Sequence, residues 1–164
     1  MRFDWKSLST LDRAIVAGAA VAFIALFLPW WGVGFIGFSV DGWGAGFTAW
    51  AGGLLLTAAG VLLVLRRSGA TMSFGGAGPS VVTAGVAALG LLLVIIRWAS
   101  LPSYRGSGVG AKYGLYIALI AGIVEVAAAV MAMRASGEQL PWAQAQHGTS
   151  PAETTPEAPA APEE

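Results

Sequence analysis

The chain has 164 residues, of which 56% are hydrophobic and only 11% are charged. A soluble domain normally carries about a quarter charged residues, so this composition predicts an integral membrane protein. The formal net charge is zero and the nine basic residues are scattered, which argues against nucleic-acid binding. Cysteine is absent, so disulfides, thiol catalysis and thiolate metal sites are excluded.

Four apolar runs follow one another along the chain, and each is near the roughly 17 to 25 residues that cross a bilayer as a helix. The first run follows Asp4 and Asp12 and lacks a small-residue cleavage site, so we expect a retained helix rather than a signal peptide. Ser9 and Asp12 predict a capping box at its start, and Pro29 marks its end. The predicted spans are residues 14–31, 46–65, 80–96 and 113–133.

Positive charge predicts how these spans are oriented, because cytoplasmic loops carry an excess of Lys and Arg. One side of the predicted bundle holds six basic residues, Arg2, Lys6, Arg13, Arg66, Arg67 and Arg134. The other side holds three, Arg97, Arg105 and Lys112, all near the third loop. We therefore expect a multi-pass protein of the cytoplasmic membrane with both termini in the cytoplasm.

The first loop, within "LPWWGVGFIGFSVDGWGAGFTAW", is rich in aromatic residues and has no Lys or Arg. Tryptophan concentrates at membrane interfaces, where an apolar ring with one polar edge suits the headgroup region. Asp41-Gly42 suits a tight turn, so residues 33–47 are expected to form either a short hairpin or an irregular glycine-rich loop. A docking surface for a partner or lipid is a third interpretation. The expected interfacial aromatics are Trp30, Trp31, Trp43, Trp50 and Trp98.

The composition changes near Gly137, where Pro, Ala, Glu and Thr become dominant. Such a segment cannot bury enough apolar area to order itself. The predicted domain organisation is therefore a four-helix transmembrane domain over residues 1–136 and a disordered cytoplasmic tail over residues 137–164.

Motifs that carry chemistry are missing from the sequence. The segment "RGSGVGAKYG" departs from a phosphate-binding loop because Ala111 stands where Gly is needed and Tyr113 where Ser or Thr is needed. No nucleophile elbow, metal-ligand cluster or pair of carboxylates is present. We therefore expect a protein that is not an enzyme and that has no cofactor and no metal site.

Glu125 is the exception, because it lies inside the fourth predicted span, where an acid is costly and is a functional candidate by default. At 100° per residue its helix face carries small residues, and bulky aliphatic residues fall on the far side. Small residues let helices approach closely, so Glu125 is expected to face protein. Thr57 and Thr83 lie at about its depth and are the expected hydrogen-bond partners.

Three roles are open for this acid. It ties helices together by a hydrogen bond, or it is a proton or cation site in a transport path, or it contacts a partner subunit. Desolvation favours its neutral form unless a cation reaches it.

Four features together carry a resemblance to a known group of proteins: "STLDR", "FLPWWG", "DGWG" and the acid in the fourth helix. With these features, residues 8–134 resemble small four-helix integral membrane proteins of actinobacteria, a group generally without an assigned function. The resemblance implies an all-α bundle of four transmembrane helices and carries over no catalytic or binding residue.

Two functional hypotheses follow. The first is a non-catalytic accessory or scaffolding component whose partners are the lipid bilayer and other membrane proteins or further copies of the chain. The alternative is a small transporter or channel component that uses Glu125 as its ionisable site.

Overall fold

The computed structural model describes residues 8–70, 78–101 and 108–138, and the predicted tail from residue 139 onward lies outside this part of the chain. The described residues form mainly helix, with a small sheet. The helices are α1 (Thr10–Ala25), α2 (Phe47–Arg67), α3 (Pro79–Ala99) and α4 (Tyr113–Ser136), and the strands are β1 (Pro29–Val33), β2 (Phe38–Asp41) and β3 (Val109–Ala111).

The helices pack in a closed ring in which α1 and α3 each contact both α2 and α4. Small residues bring neighbouring backbones together. A Cβ atom built on Gly52 of α2 would lie 2.9 Å from the carbonyl oxygen of Gly90 on α3. A Cβ atom built on Gly90 would likewise lie 2.9 Å from the carbonyl oxygen of Gly52. On α2, Gly60 likewise leaves no room for a side chain beside Ala19 of α1. The ring therefore depends on glycine at its contacts, as helix pairs in membranes commonly do.

Within the described residues, three helices are long and apolar enough to cross a membrane, namely α2, α3 and α4. They coincide closely with the second, third and fourth predicted runs. The helix α1 has 16 residues and is shorter than these three.

The predicted extent of the first run was wrong at its end. Helix α1 stops at Ala25, and a tight turn over Leu26 to Leu28 leads into β1 at Pro29. Pro29 cannot donate the N–H that a continuing helix needs, so the chain becomes extended at this point. The capping box at the other end of α1 is confirmed, because the Asp12 N–H donates to Ser9 Oγ at 3.1 Å and the Ser9 N–H donates to Asp12 Oδ2 at 3.2 Å.

A three-stranded antiparallel sheet has the order β2-β1-β3. Strands β1 and β2 come from the segment between α1 and α2, and β3 comes from the segment before α4. The hairpin expected in the first loop is present, but its turn covers residues 34–37, where Gly37 has a φ of 66°. The hairpin was expected to turn at Asp41-Gly42, and this position was wrong. Asp41 is the last residue of β2, and its Oδ1 accepts a hydrogen bond from the Gly44 N–H at 2.8 Å in the turn that leads to α2. Strand β3 comes from the third loop and had no counterpart among the predicted elements.

The two ends of the ring differ, and we name them by what they hold. The sheet end contains β1, β2 and β3, together with the ends of α1 and α3 and the starts of α2 and α4. The arginine end contains the start of α1, the end of α2, the start of α3 and the end of α4, and it holds Arg13, Arg66, Arg67 and Arg134.

Candidate functional site

Glu125 lies at the centre of the ring and is completely buried. On α1, Gly18 lies against it, because a Cβ atom built on Gly18 would lie 2.9 Å from the Glu125 Cβ and 3.2 Å from the Ala121 carbonyl oxygen. The predicted small-residue face is confirmed, since Ala121, Gly122 and Ala129 are buried beside Glu125 on α4 while Ile123 is exposed. The acid therefore faces protein.

Both carboxylate oxygens of Glu125 are buried and have no hydrogen-bond partner in the described part of the chain. The two threonines expected as partners bond to their own helices. The Thr57 hydroxyl donates to the Gly53 carbonyl oxygen at 2.8 Å, and the Thr83 hydroxyl donates to the Pro79 carbonyl oxygen at 2.9 Å. The expected link from either threonine to Glu125 is thus absent, because each hydroxyl finds an acceptor one helical turn away.

A cavity of about 390 Å³ opens at the arginine end. Its mouth is polar, and its floor is apolar apart from Thr83. The mouth includes Asp12, Arg66, Arg67 and Ser80, and the floor includes Ile15, Leu63, Ala129 and Ala132. Residues from all four helices line it, so the cavity lies inside the ring rather than on its outer surface.

The mouth of the cavity is braced by an ion pair between α1 and α2. Arg67 Nη2 lies 2.7 Å from Asp12 Oδ2, and the Asp12 side chain is only 2% exposed. The same carboxylate belongs to the capping box of α1. Asp12 therefore satisfies the first turn of its own helix and joins that helix to α2.

A second charged network joins α2, α3 and Glu138, the second residue after the end of α4. Arg66 Nη1 donates to Ser80 Oγ at 2.6 Å, and Arg66 Nη2 lies 3.5 Å from Glu138 Oε1. Glu138 Oε2 accepts from the backbone N–H groups of Ser80 at 2.9 Å and Val81 at 3.4 Å. A carboxylate at this position satisfies free N–H groups in the first turn of α3 and complements the helix dipole.

Glu138 was not identified from the sequence as a contact residue, since it was assigned to the tail that begins at Gly137. A local signal exists nonetheless. Gly137 ends α4 in the left-handed conformation, with a φ of 68°, which turns the next residue back toward the bundle. The start of α3, at Gly78-Pro79, carries no side-chain cap of its own. Glu138 fills that role from a distance of 58 residues in the chain.

The sheet end is filled by large side chains, and here one expected role needs correction. Trp30 is completely buried, and its Nε1 donates to the Ala25 carbonyl oxygen at 2.7 Å. It packs in one core cluster with Leu26 and Leu115, both also fully buried. Trp30 was expected to be an interfacial anchor, but its ring is enclosed because its side chain reaches back to the end of α1 and packs among core residues.

The other aromatic residues predicted for an interface lie nearer the surface. Trp43 and Trp98 are 39% and 48% exposed. Trp31 and Trp50 are half-buried, and each ring meets a phenylalanine edge-to-face, Phe38 and Phe47 respectively. These four residues and the exposed Phe35 of the hairpin turn all lie at the sheet end.

In the ranges that the structure describes, no group of three or more His, Asp or Glu residues lies close enough to hold a metal ion. Comparison with known proteins finds no family model, no curated protein and no solved structure that matches the chain.

Proposed function

We propose that this chain is an integral protein of the cytoplasmic membrane whose four helices all span the bilayer. The three long apolar helices support this proposal. Helix α1 rises about 24 Å at 1.5 Å per residue, and β1 extends the apolar chain beyond it toward the interface. Large apolar side chains point outward around the ring, as expected for contact with lipid, including Phe23, Ile24, Phe27, Val61, Leu65, Leu89, Leu92, Ile120 and Ile123.

We infer that the arginine end faces the cytoplasm, which places both termini there. The described basic residues support this orientation: Arg13, Arg66, Arg67 and Arg134 lie at the arginine end, against Arg97 and Lys112 at the sheet end. The exposed Trp43 and Trp98 at the sheet end suit the outer interface.

The role we propose is that of a non-catalytic accessory or scaffolding component. The observation that carries it is the hairpin turn between β1 and β2, where Phe35 and Ile36 are 76% and 62% exposed. The turn is held by the pairing of β1 with both β2 and β3, so these side chains are presented on a fixed support. Exposed apolar groups of this kind mark contacts, and another membrane protein or a second copy of the chain is the proposed partner.

A specific observation favours the second candidate, a component of a transporter or channel. Glu125 is fully buried and unpartnered among the described residues, and the cavity at the arginine end lies one helical turn away from it. Acids buried in membrane spans commonly mark ion or proton paths. On this alternative, Glu125 is the ionisable site.

Orientation is tested first. Cysteines placed singly at Ser39 and Ala70, both exposed, serve this cysteine-free chain as probes of the two ends. On intact cells, an impermeant thiol reagent should label Ser39→Cys and leave Ala70→Cys unlabelled. The reverse pattern would show that the arginine end faces outward.

The two roles are then separated by photo-crosslinking and by flux. A photoreactive residue at Phe35 should yield one defined crosslinked species, either with a partner or between two copies, and the same residue at the lipid-facing Val61 should not. A transporter component instead predicts a proton-linked flux in vesicles that Glu125→Gln abolishes. Equal crosslinking at both positions would contradict the scaffold role.

A further inference from the structure

The interior of the ring is closed at one end and hollow at the other. At the sheet end, Trp30, Leu26 and Leu115 are each 0% exposed and fill the space between the helices. Gly42 adds backbone to this seal, because a Cβ atom built there would lie 2.9 Å from both Leu26 and the Trp30 Nε1. At the arginine end, the cavity of about 390 Å³ penetrates between all four helices.

Glu125 lies between these two regions, next to the floor of the cavity. Ala129 lines the floor and is four residues from Glu125 on the same helix, so the two lie about 6 Å apart along the axis of α4. On α1, Ile15 lines the floor, and Gly18, one turn further, lies against Glu125. Glu125 itself does not line the cavity, and it lies about one helical turn beyond the floor.

The chemistry of the site selects the ion that it can hold. Glu125 offers two oxygens, and no hydroxyl or carbonyl partner joins them in the described structure. A metal cation such as Ca²⁺ or Mg²⁺ needs about six oxygen ligands, whereas a proton needs one. The charged groups along the cavity are Asp12 on α1 and Arg66 and Arg67 on α2. They lie at its mouth, where Asp12 pairs with Arg67, and Arg66 pairs with Glu138.

From this arrangement we propose that Glu125 is a proton-exchange site that is reached by water through the cavity at the arginine end and is sealed from the sheet end. The carboxyl group releases its proton to a water molecule that enters from the cavity past Ile15 and Ala129, and it takes a proton back by the same route. The proposal rests on the membrane insertion proposed above and deepens the second candidate function by naming the ion and its route.

The first test measures solvent access with two matched variants. Ala129→Cys and Ala118→Cys make the same small change on the buried face of α4, one on the cavity floor and one on the sealed side of Glu125. A small charged thiol reagent should modify Ala129→Cys at least tenfold faster than Ala118→Cys, in detergent and from the arginine side of vesicles. Equal rates, or faster modification of Ala118→Cys, would overturn the proposal.

The second test uses the unaltered chain. A membrane-permeant carbodiimide adds the protonated carboxyl group across its C=N bond without a leaving group, so mass spectrometry detects the adduct at Glu125, and Glu125→Gln is the control. In inside-out and right-side-out vesicles, the pH is raised on one side at a time. When the pH is raised on the arginine side, labelling should fall by about tenfold per pH unit once the acid is mostly ionised. When the pH is raised on the sheet side, labelling should not change.

Labelling that follows the pH on the sheet side, or neither side, would overturn the proposal. Failure of the proposed function gives a different pattern. If the cysteine probes show that the orientation is the reverse of the proposed one, labelling of Glu125 still follows the pH on the arginine side, which then faces outward. If Glu125→Gln leaves every flux unchanged while the labelling follows the arginine side, the proton-exchange site stands and the transporter role falls.

Discussion

Gly18 of α1 lies directly against Glu125 of α4, so closely that a Cβ atom added to Gly18 would be 2.9 Å from the Glu125 Cβ. This contact sets the spacing between the two helices at the centre of the ring. It also encloses the acid, because a larger residue at position 18 would separate α1 from α4 and open a path to the carboxyl group.

The first prediction concerns this contact. Gly18→Ala should lower the free energy of unfolding by about 1 to 3 kcal/mol, because the added methyl group overpacks a contact that involves backbone on both helices. Gly85→Ala on α3 is the matched control, since a Cβ atom there meets nothing within 4 Å. That variant should be neutral or slightly stabilising, because alanine is the better helix former by about 1 kcal/mol. Thermal unfolding in detergent measures both, and equal effects would contradict the close contact.

The second prediction concerns the pair between Arg67 and Asp12. Arg67→Gln should destabilise the protein by about 2 kcal/mol, because it leaves a carboxylate that is 2% exposed without its cation. Arg134→Gln is the control. It removes the same charge from the same end of the ring, at an exposed position, and should change the stability by less than about 0.5 kcal/mol.

Because both variants alter the arginine end by one charge, any effect on membrane orientation should be equal in the two. Chemical denaturation in mixed micelles measures the free energy of unfolding of each variant separately from its orientation in a membrane. Similar unfolding free energies for the two variants would mean that Asp12 is satisfied by the capping box alone.

The third prediction concerns Glu138. Glu138→Ala in the full chain should cost about 1 kcal/mol, since it removes the acceptor for two N–H groups of α3 and the charge beside the positive end of that helix. Truncation after Leu140 keeps Glu138 and should leave the stability almost unchanged, because Pro, Ala, Glu and Thr dominate the removed residues 141–164 and can bury little apolar area against the bundle. The melting temperatures of the two variants check this, and a truncation that is the more harmful one would show that later residues also contact the bundle.

The fourth prediction tests where Trp30 acts. Trp30→Phe should destabilise the fold by about 1 to 3 kcal/mol, because it loses the buried hydrogen bond to the Ala25 carbonyl oxygen and leaves a space in the core. Trp98→Phe, at a position 48% exposed, should change the stability by less than about 0.5 kcal/mol. Unfolding followed by intrinsic fluorescence distinguishes them. If Trp98→Phe lost more stability than Trp30→Phe, Trp30 would not be a core residue, and the interfacial role expected from the sequence would stand.

Features set by near neighbours in the chain were predictable from the sequence. Helices α2, α3 and α4 follow from continuous apolar runs of the right length, and the capping box at Ser9 and Asp12 follows from their spacing. The small-residue face around Glu125 follows from the helical period. Each of these depends on residues within a few turns of one another, so composition and spacing are enough to determine them.

Other features were decided only by the tertiary structure, because they depend on which segments meet in space. Strand β3 pairs with β1 across about half of the chain, and Glu138 reaches α3 from 58 residues away. The end of α1 and the burial of Trp30 follow from the fold of the sheet over the helix ends. The threonine hydroxyls were expected at Glu125 from depth alone, yet each bonds to the nearest carbonyl oxygen on its own helix. Whether a buried polar group finds a partner is a matter of direction and distance between packed helices, and the order of residues along one helix does not contain that information.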